Sequence, residues 1–313
     1  SRSKQFRQNK LFEANQKRIF EETDGTTDDD VSPIADESLQ FWSNIWEKDV
    51  NHNEAAEWLK DLENNLKDIP KQRDININIG MVNKILKKMA NWKGPGPDGI
   101  HGSWLKNFSL LHERIVQQLA TCLQAGQVPG LMTKGRTLLL VKDRDKGTTA
   151  TNFRPITCLP LTWRLLTGVL ADELYNHLDS QRLLPEEQKG CRRGCRGTKD
   201  QLLIDKMVIR NCKRRLTGLG VAWIYYKKAY DMLPHSWIIK NLDMFGVAEN
   251  LKKLVSGSMK SWNTDLMAGG KVIGNIKNSG SSSDNTKYYY FKTRYTKKKR
   301  IISNDDINYY LHY

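Results

Sequence analysis

The stretch VAWIYYKKAYDMLPHSWI, from Val221 to Ile238, constrains the fold more than any other part of the chain. Its first residues are apolar and β-prone, the pattern of a short buried strand, and a buried strand commits the chain to a sheet. The strand runs into a basic, aromatic turn and then into an amphipathic segment that reads as a helix.

At 313 residues and 39% hydrophobic content the chain can fill one large core or two ordinary ones. No run approaches the roughly 20 apolar residues that span a bilayer. The amino terminus, SRSKQFRQNK, has neither an initiator Met nor an apolar signal segment. These features predict a soluble, intracellular chain of the nucleus or cytoplasm, cut from something longer, with no membrane partner. Cys122, Cys158, Cys191, Cys195 and Cys212 form no paired zinc pattern and read as free thiols. Charge is unevenly spread: residues 1–70 carry 9 Lys and Arg against 16 Asp and Glu, a net of −7, which leaves +22 on the remainder. A body that basic points to a polyanion, and nucleic acid is the commonest one.

Residues 4–22 have helical spacing at Phe6, Leu11, Phe12 and Phe20, and ETDGTTDDDVSP after them reads as an acidic linker. Between Ala35 and Leu66 the faces Phe41, Trp42, Ile45, Trp46 and Ala55, Trp58, Leu59, Leu62, Leu66 predict aromatic core positions in a helical hairpin. Residues 75–90 start with alternation and pass into another amphipathic helix. In NWKGPGPDGIHGSWLK, Asn91 to Lys106, two glycines and two prolines fix a tight turn, with Asp98 placed to cap the helix that follows. That turn is either a rigid connection between helices or a loop that approaches a nucleic-acid backbone closely through Gly94 and Gly96.

GRTLLLVKD, Gly135 to Asp143, is a continuous apolar strand with Arg136 at one end and Lys142 at the other. The loop after it carries Arg154, where Pro155 restricts the backbone, and a long amphipathic helix with Trp163, Leu165, Leu166, Val169, Leu170, Leu174, Tyr175 and Leu178 comes next. Alone, Lys142 and Arg154 read as solvated cations; held together at a strand–loop edge they would grip a phosphate. LLPEEQKGCRRGCRGTKDQLLI, Leu183 to Ile204, sets Lys189, Arg192, Arg193, Arg196 and Lys199 among glycines, directly before a helix over about Asp200–Arg210. Cations, open backbone amides and a helix amino terminus together suit a nucleic-acid backbone better than an idle charge run.

In this order, NWKGPGPDGIHGSWLK, GRTLLLVKD, NFRPITCLP, LLPEEQKGCRRGCRGTKDQLLI and VAWIYYKKAYDMLPHSWI resemble the reverse transcriptase domain of non-LTR (LINE-type) retrotransposons, close to the site-specific, rDNA-targeting branch. The resemblance covers about residues 75–270. It implies an α+β fold: right-hand polymerase fingers and a partial palm over residues 75–277, preceded by an α-helical extension over 1–74 and followed by a divergent tail over 278–313. It implies an RNA template and a DNA primer as partners, Mg²⁺ as cofactor, and dNTP addition to a primer 3′-hydroxyl. Lys142 and Arg154 would lie near the incoming triphosphate, and Gln188, Lys189, Gly190, Arg192, Arg193 and Arg196 along the template. The GPGPDG loop, with Gly94 and Gly96, would help hold RNA. Ala229 and Tyr230 would lie under the incoming sugar, Tyr230 as the gate against a 2′-hydroxyl.

The sequence departs from that pattern where the chemistry is most demanding. Two Mg²⁺ ions stabilise the attacking and leaving oxygens of such a transfer, and both need carboxylates. The family places an Asp five residues before the aromatic of this motif; here that position is Tyr225, whose neutral phenol is a poor Mg²⁺ ligand. Asp231 reads as a helix cap rather than a substitute. After GGKVIGNIK the later Asp–Asp segment is not found, and seven of the chain's 11 tyrosines crowd into residues 281–313. Asp305–Asp306 lacks the preceding aromatic and is not read as the missing pair. The expectation is a truncated, degenerate copy without polymerase activity, or a non-catalytic RNA- or DNA-binding remnant.

Overall fold

The protein is described from a computed structural model, which covers residues 32–48, 51–91, 94–223, 233–277 and 308–312. Its elements in chain order are α1 (Ala35–Trp46), α2 (Glu57–Leu66), α3 (Ile79–Lys88), α4 (Gly102–Asn107), α5 (His112–Ala125), β1 (Lys134–Val141), β2 (Phe153–Cys158), α6 (Leu161–Ser180), α7 (Thr198–Arg215), β3 (Leu219–Trp223), α8 (His235–Met244), α9 (Glu249–Met259), β4 (Asn263–Ala268), β5 (Lys271–Lys277) and β6 (Asn308–His312). The mixture of helices with a separate sheet is compatible with an α+β fold.

Four strands form one sheet in the order β2-β1-β4-β5. The apolar run of GRTLLLVKD becomes β1, antiparallel to β2 and parallel to β4, while β4 and β5 form a hairpin. Gly269 and Gly270 close that hairpin with φ of 53° and 75°, a two-residue turn that few other residues tolerate. One face of the sheet lies under α1: Trp42 and Trp46 pack on Leu266 and Ile276, with the two indole centroids 4.8 Å apart. A side chain at Gly274 would come within 2.5 Å of Leu39, so β5 needs glycine where α1 crosses it. Beneath α1 the Thr137 hydroxyl lies 2.7 Å from those of both Thr157 and Thr264, a buried polar row in which the groups satisfy one another. The strand is therefore less uniformly apolar inside than its sequence suggests.

The principal core surrounds α6. Leu165 and Leu166 are fully buried, and α6 meets α3 so closely that a side chain at Gly168 would fall 2.8 Å from Ile85. Most of α6 is buried, on more than one face, so it is a central pillar rather than the amphipathic helix its spacing predicts. Helices α8 and α9 close the core through Ile238, Leu242, Leu251 and Leu254, and His177 Nε2 donates to the Phe245 carbonyl at 2.7 Å. The alternating residues Ile75 and Ile77 do enter this core, yet no strand forms there. The Asn250 amide takes the partner strand's place, accepting from Ile75 N at 3.2 Å and donating to Ile75 O at 2.9 Å.

The helical hairpin expected over 35–66 does not form as a unit. Helix α1 packs on the sheet, whereas Leu62 and Leu66 of α2 join the principal core. Trp58, expected inside, is 56% exposed and meets the edge of Trp237 with centroids 5.5 Å apart. Both helices have apolar stripes, but the stripes find different partners. No described helix is long and apolar enough to cross a membrane.

Candidate nucleic-acid interface

On the face of the sheet opposite α1, period two aligns Lys134, Arg136, Leu138, Leu140 and Lys142 along β1. Arg154 on β2 stands opposite Leu140, and Lys142 N donates to Asn152 O at 2.8 Å, so Lys142 and Arg154 are diagonal neighbours on one face. Arg154 is exposed; the Lys142 ammonium donates to Thr151 O at 2.7 Å. On β4, Asp265 pairs with Lys134 at 2.9 Å. Burial alone would raise the Asp265 carboxyl, but hydrogen bonds from Lys134 and Asn275 outweigh it and hold the group below its ordinary range. The acid on this face is thus already neutralised by Lys134, and the cationic charge that remains is that of Arg136, Lys142 and Arg154.

The GPGPDG loop docks against the same face. Arg136 Nη2 donates to Pro95 O at 3.3 Å, and a side chain at Gly96 would fall 2.5 Å from Pro160 N, where β2 hands over to α6. At Gly94 the neighbour is the Cys158 sulfur at 3.6 Å. The room left by Gly94 and Gly96 is filled by protein, and the open glycine of the loop is Gly99, with φ of 68° and nothing within 4 Å of a side chain built there. Asp98 does not cap α4. It lies too far ahead of Gly102, and its Oδ1 instead accepts from Ile100 N at 3.2 Å, closing a local turn.

The second basic segment is held by inward contacts. Asp172, a carboxylate on the buried side of α6, pairs with Arg193, with Lys84 of α3 at 2.9 Å and with Lys88 at 3.9 Å. The Arg193 guanidinium also lies 4.2 Å over the Tyr175 ring. Burial pushes the Asp172 carboxyl up, but the Lys84 hydrogen bond and the charges of Arg193, Lys84 and Lys88 together hold it below the ordinary carboxylate range. Arg192 donates to the carbonyls of Leu184 at 3.1 Å and Pro185 at 2.6 Å. Gln188 turns back to Gly190 O at 3.1 Å. Of the six residues expected along a template, Gly190, Arg193 and Arg196 are exposed and Lys189 partly so, while Arg192 and Arg193 also make inward contacts as staples.

The amino terminus of α7 is also already occupied. Asp200 accepts from Arg196 N at 2.8 Å, placing a carboxylate of the chain where an incoming phosphate was expected. Sequence reading passed over Asp172 and Lys84, yet an acid set among the leucines of α6 was a legible sign of a buried ion pair. No disulfide joins Cys191 to Cys195, and among the described residues no group of His, Cys, Asp and Glu could hold a metal ion. Tyr225, Ala229, Tyr230 and Asp231 lie outside the described residues, as do Asp305 and Asp306. On either side of those gaps, β3 pairs in parallel with β6, Leu219 opposite Asn308.

No family model matches the chain. It is 30% identical over 189 residues to the retrovirus-related Pol polyprotein from type-1 retrotransposable element R2 of Popillia japonica. The alignment takes in 58% of this chain, which spans about a quarter, 24%, of the length of that relative. The match supports a relationship to non-LTR retrotransposon polyproteins, the kind of relationship that the ordered motifs imply.

Proposed function

We propose that the chain is the fingers and partial palm of a reverse transcriptase domain from a non-LTR retrotransposon of the rDNA-targeting branch, a degenerate copy that binds nucleic acid and does not extend a primer. The observation that carries this reading is the docking of the GPGPDG loop onto the β1–β2 hairpin through Arg136, which gathers two of the ordered motifs on one side of the sheet. In this reading Arg154 and Lys142 face the triphosphate, and the segment Gln188–Gly197 borders the template. The partners are an RNA template and a DNA primer, in the nucleus or cytoplasm.

The donor set does not fit Mg²⁺. Position 225 is a tyrosine, a poor ligand for an ion that demands hard oxygens in near-octahedral geometry. The Ala229–Tyr230 pair is read as a retained sugar-binding surface without the chemistry beside it. The alternative is a remnant that has become a general RNA- or DNA-binding protein, supported by the exposed Arg154 and Arg196.

A primer annealed to an RNA template tests both halves of the proposal. Binding that weakens steeply as salt rises, with no incorporation in Mg²⁺, is the expected result. Incorporation that disappears on Arg154→Ala overturns the assignment of inactivity. Absence of salt-dependent binding overturns the nucleic-acid reading itself.

A further inference from the structure

Helix α7 has an outer face that neither the core nor the basic loop before it uses. Leu202, Leu203 and Met207 are 60%, 58% and 64% exposed, and Lys199, Lys206 and Arg210 are exposed with them. Residues three or four apart are neighbours on one side of a helix. By that spacing Lys199 and Lys206 each stand beside both leucines, Met207 stands beside Leu203, and Arg210 stands beside Met207. Every apolar side chain of the face therefore has a cation one turn away. The half-buried stripe Gln201, Asp205, Val208, Ile209 and Cys212 lies on the other side of the helix, and among the described residues no side-chain hydrogen bond or ion pair engages the three cations.

This combination limits what can cover the face. A bare phosphate would use the cations and leave three apolar side chains in water. A second copy docking by the same face would set Lys199, Lys206 and Arg210 against their own equivalents, because a two-fold interface is self-complementary. What fits both features is a segment in which apolar side chains stand beside clustered carboxylates.

The chain contains such a segment. Residues 20–31 hold Glu21, Glu22, Asp24, Asp28, Asp29 and Asp30 with no Lys or Arg, and Ile19, Phe20 and Val31 stand at the two ends of the acidic run. These residues lie outside the described ones, and they join them close to the β4–β5 turn, where a side chain at Gly269 would fall 3.6 Å from Ser32 Oγ. About 12 residues separate Phe20 from Ser32, an extended reach of up to about 40 Å. A folded body of this size has a radius of gyration of about 18 Å. A partner tethered in this way acts at an effective concentration of roughly millimolar, so a shallow face is enough to hold it.

We infer that the outer face of α7 is a docking surface for the acidic segment at residues 20–31 of the same chain. Leu202, Leu203 and Met207 receive its apolar ends, and Lys199, Lys206 and Arg210 meet its carboxylates. The acidic excess of residues 1–70 and the basic excess of the remainder then meet within one molecule. This contact goes beyond the nucleic-acid reading and does not depend on it.

A carbodiimide that joins carboxylate to amine without a spacer tests the contact on the full chain at low salt, with the linked peptides read by mass spectrometry. Amide links from residues 21–30 to Lys199 and Lys206 are expected, at a yield that does not fall on dilution. Leu203→Gln with Met207→Gln should reduce that yield about 5- to 30-fold, the effect of withdrawing one or two apolar side chains from contact. Leu203→Met with Met207→Leu should retain it. Both positions are exposed, so both variants should keep the parent's urea midpoint, and the cross-link yield is the measurement that separates them. Links spread evenly over the lysines of the basic body, or equal yields from parent and double-Gln variant, overturn the inference. Links found only between an isotopically labelled and an unlabelled copy make a second chain the occupant and overturn it as well. Vesicles containing phosphatidylserine that capture the parent and not the double-Gln variant, with no links from residues 21–30 to α7, show a lipid-facing surface and also overturn it.

Discussion

Helices α6 and α7 are 20 and 18 residues long and both are rich in leucine, isoleucine and valine, yet twelve residues of α6 are buried and none of those described in α7 is. Leu202, Leu203 and Met207 of α7 are 60%, 58% and 64% exposed, and its last turn is Lys213, Arg214 and Arg215. Apolar residues at helical spacing do not by themselves decide burial; what lies opposite them does. Helix α6 is wrapped by α3, α8 and α9 through one continuous core, whereas α7 is tied at its start by the Asp200–Arg196 contact and favoured at its end by cations on the helix dipole. A helix draws most of its stability from packing, and among the described residues α7 has only a half-buried stripe, Gln201, Asp205, Val208, Ile209 and Cys212.

The largest effect should therefore come from α6. Leu166→Ala removes a fully buried side chain and should cost about 2–5 kcal/mol, while Leu203→Ala on α7 should fall within about 0.5 kcal/mol of the parent. Midpoints of urea unfolding measure both. Equal losses at the two positions would break the comparison by revealing a partner for α7.

An intermediate effect should come from Asp172, which ties the loop before α7 to α6. Asp172→Asn removes the charge that faces Arg193, Lys84 and Lys88, and should cost about 1–2 kcal/mol at neutral pH, modest because the cations remain partly solvated. Its carboxyl is held below the ordinary range, so this stability is fully present above the unfolded value of about 4 and is lost as pH falls through the lower folded value. The difference between parent and variant should thus be flat from neutral pH to about 5 and shrink in more acidic solution. A gap that persists unchanged into strong acid would show that shape, and not charge, holds the loop.

The fold was legible wherever local pattern was enough. The strand in GRTLLLVKD, the helix into which the Val221–Ile238 stretch runs and the GPGPDG turn all stand where local pattern places them. The rest was not legible, because the deciding partner lies outside the local pattern. Arg192 and Arg193 are indistinguishable from free cations until Leu184, Pro185 and Asp172 are seen beside them. Trp58 reads as a core residue because its spacing is right, but its neighbour is Trp237 at a half-exposed seam. The two sequence-read roles of Gly94 and Gly96, rigid turn and close approach, share one physical cause, absence of a side chain, and only the position of Pro160 and Cys158 tells what fills the space.

The same division between inward and outward groups sets the smallest stability effect. Arg154 is exposed and faces away from the α1 core, so Arg154→Ala should leave the urea midpoint within about 0.5 kcal/mol of the parent. Its effect belongs to binding: if its guanidinium meets a phosphate, the slope of log affinity against log salt should fall by about 1, uniformly across sequences. Arg193→Ala should behave in the opposite way, costing stability through Asp172 and Tyr175 and changing RNA affinity only as far as the loop moves. Two arginines with the same sequence signature would then separate on two axes, unfolding midpoint and salt slope. An Arg154 variant that loses stability without changing the slope would show that this cation, too, acts as a staple.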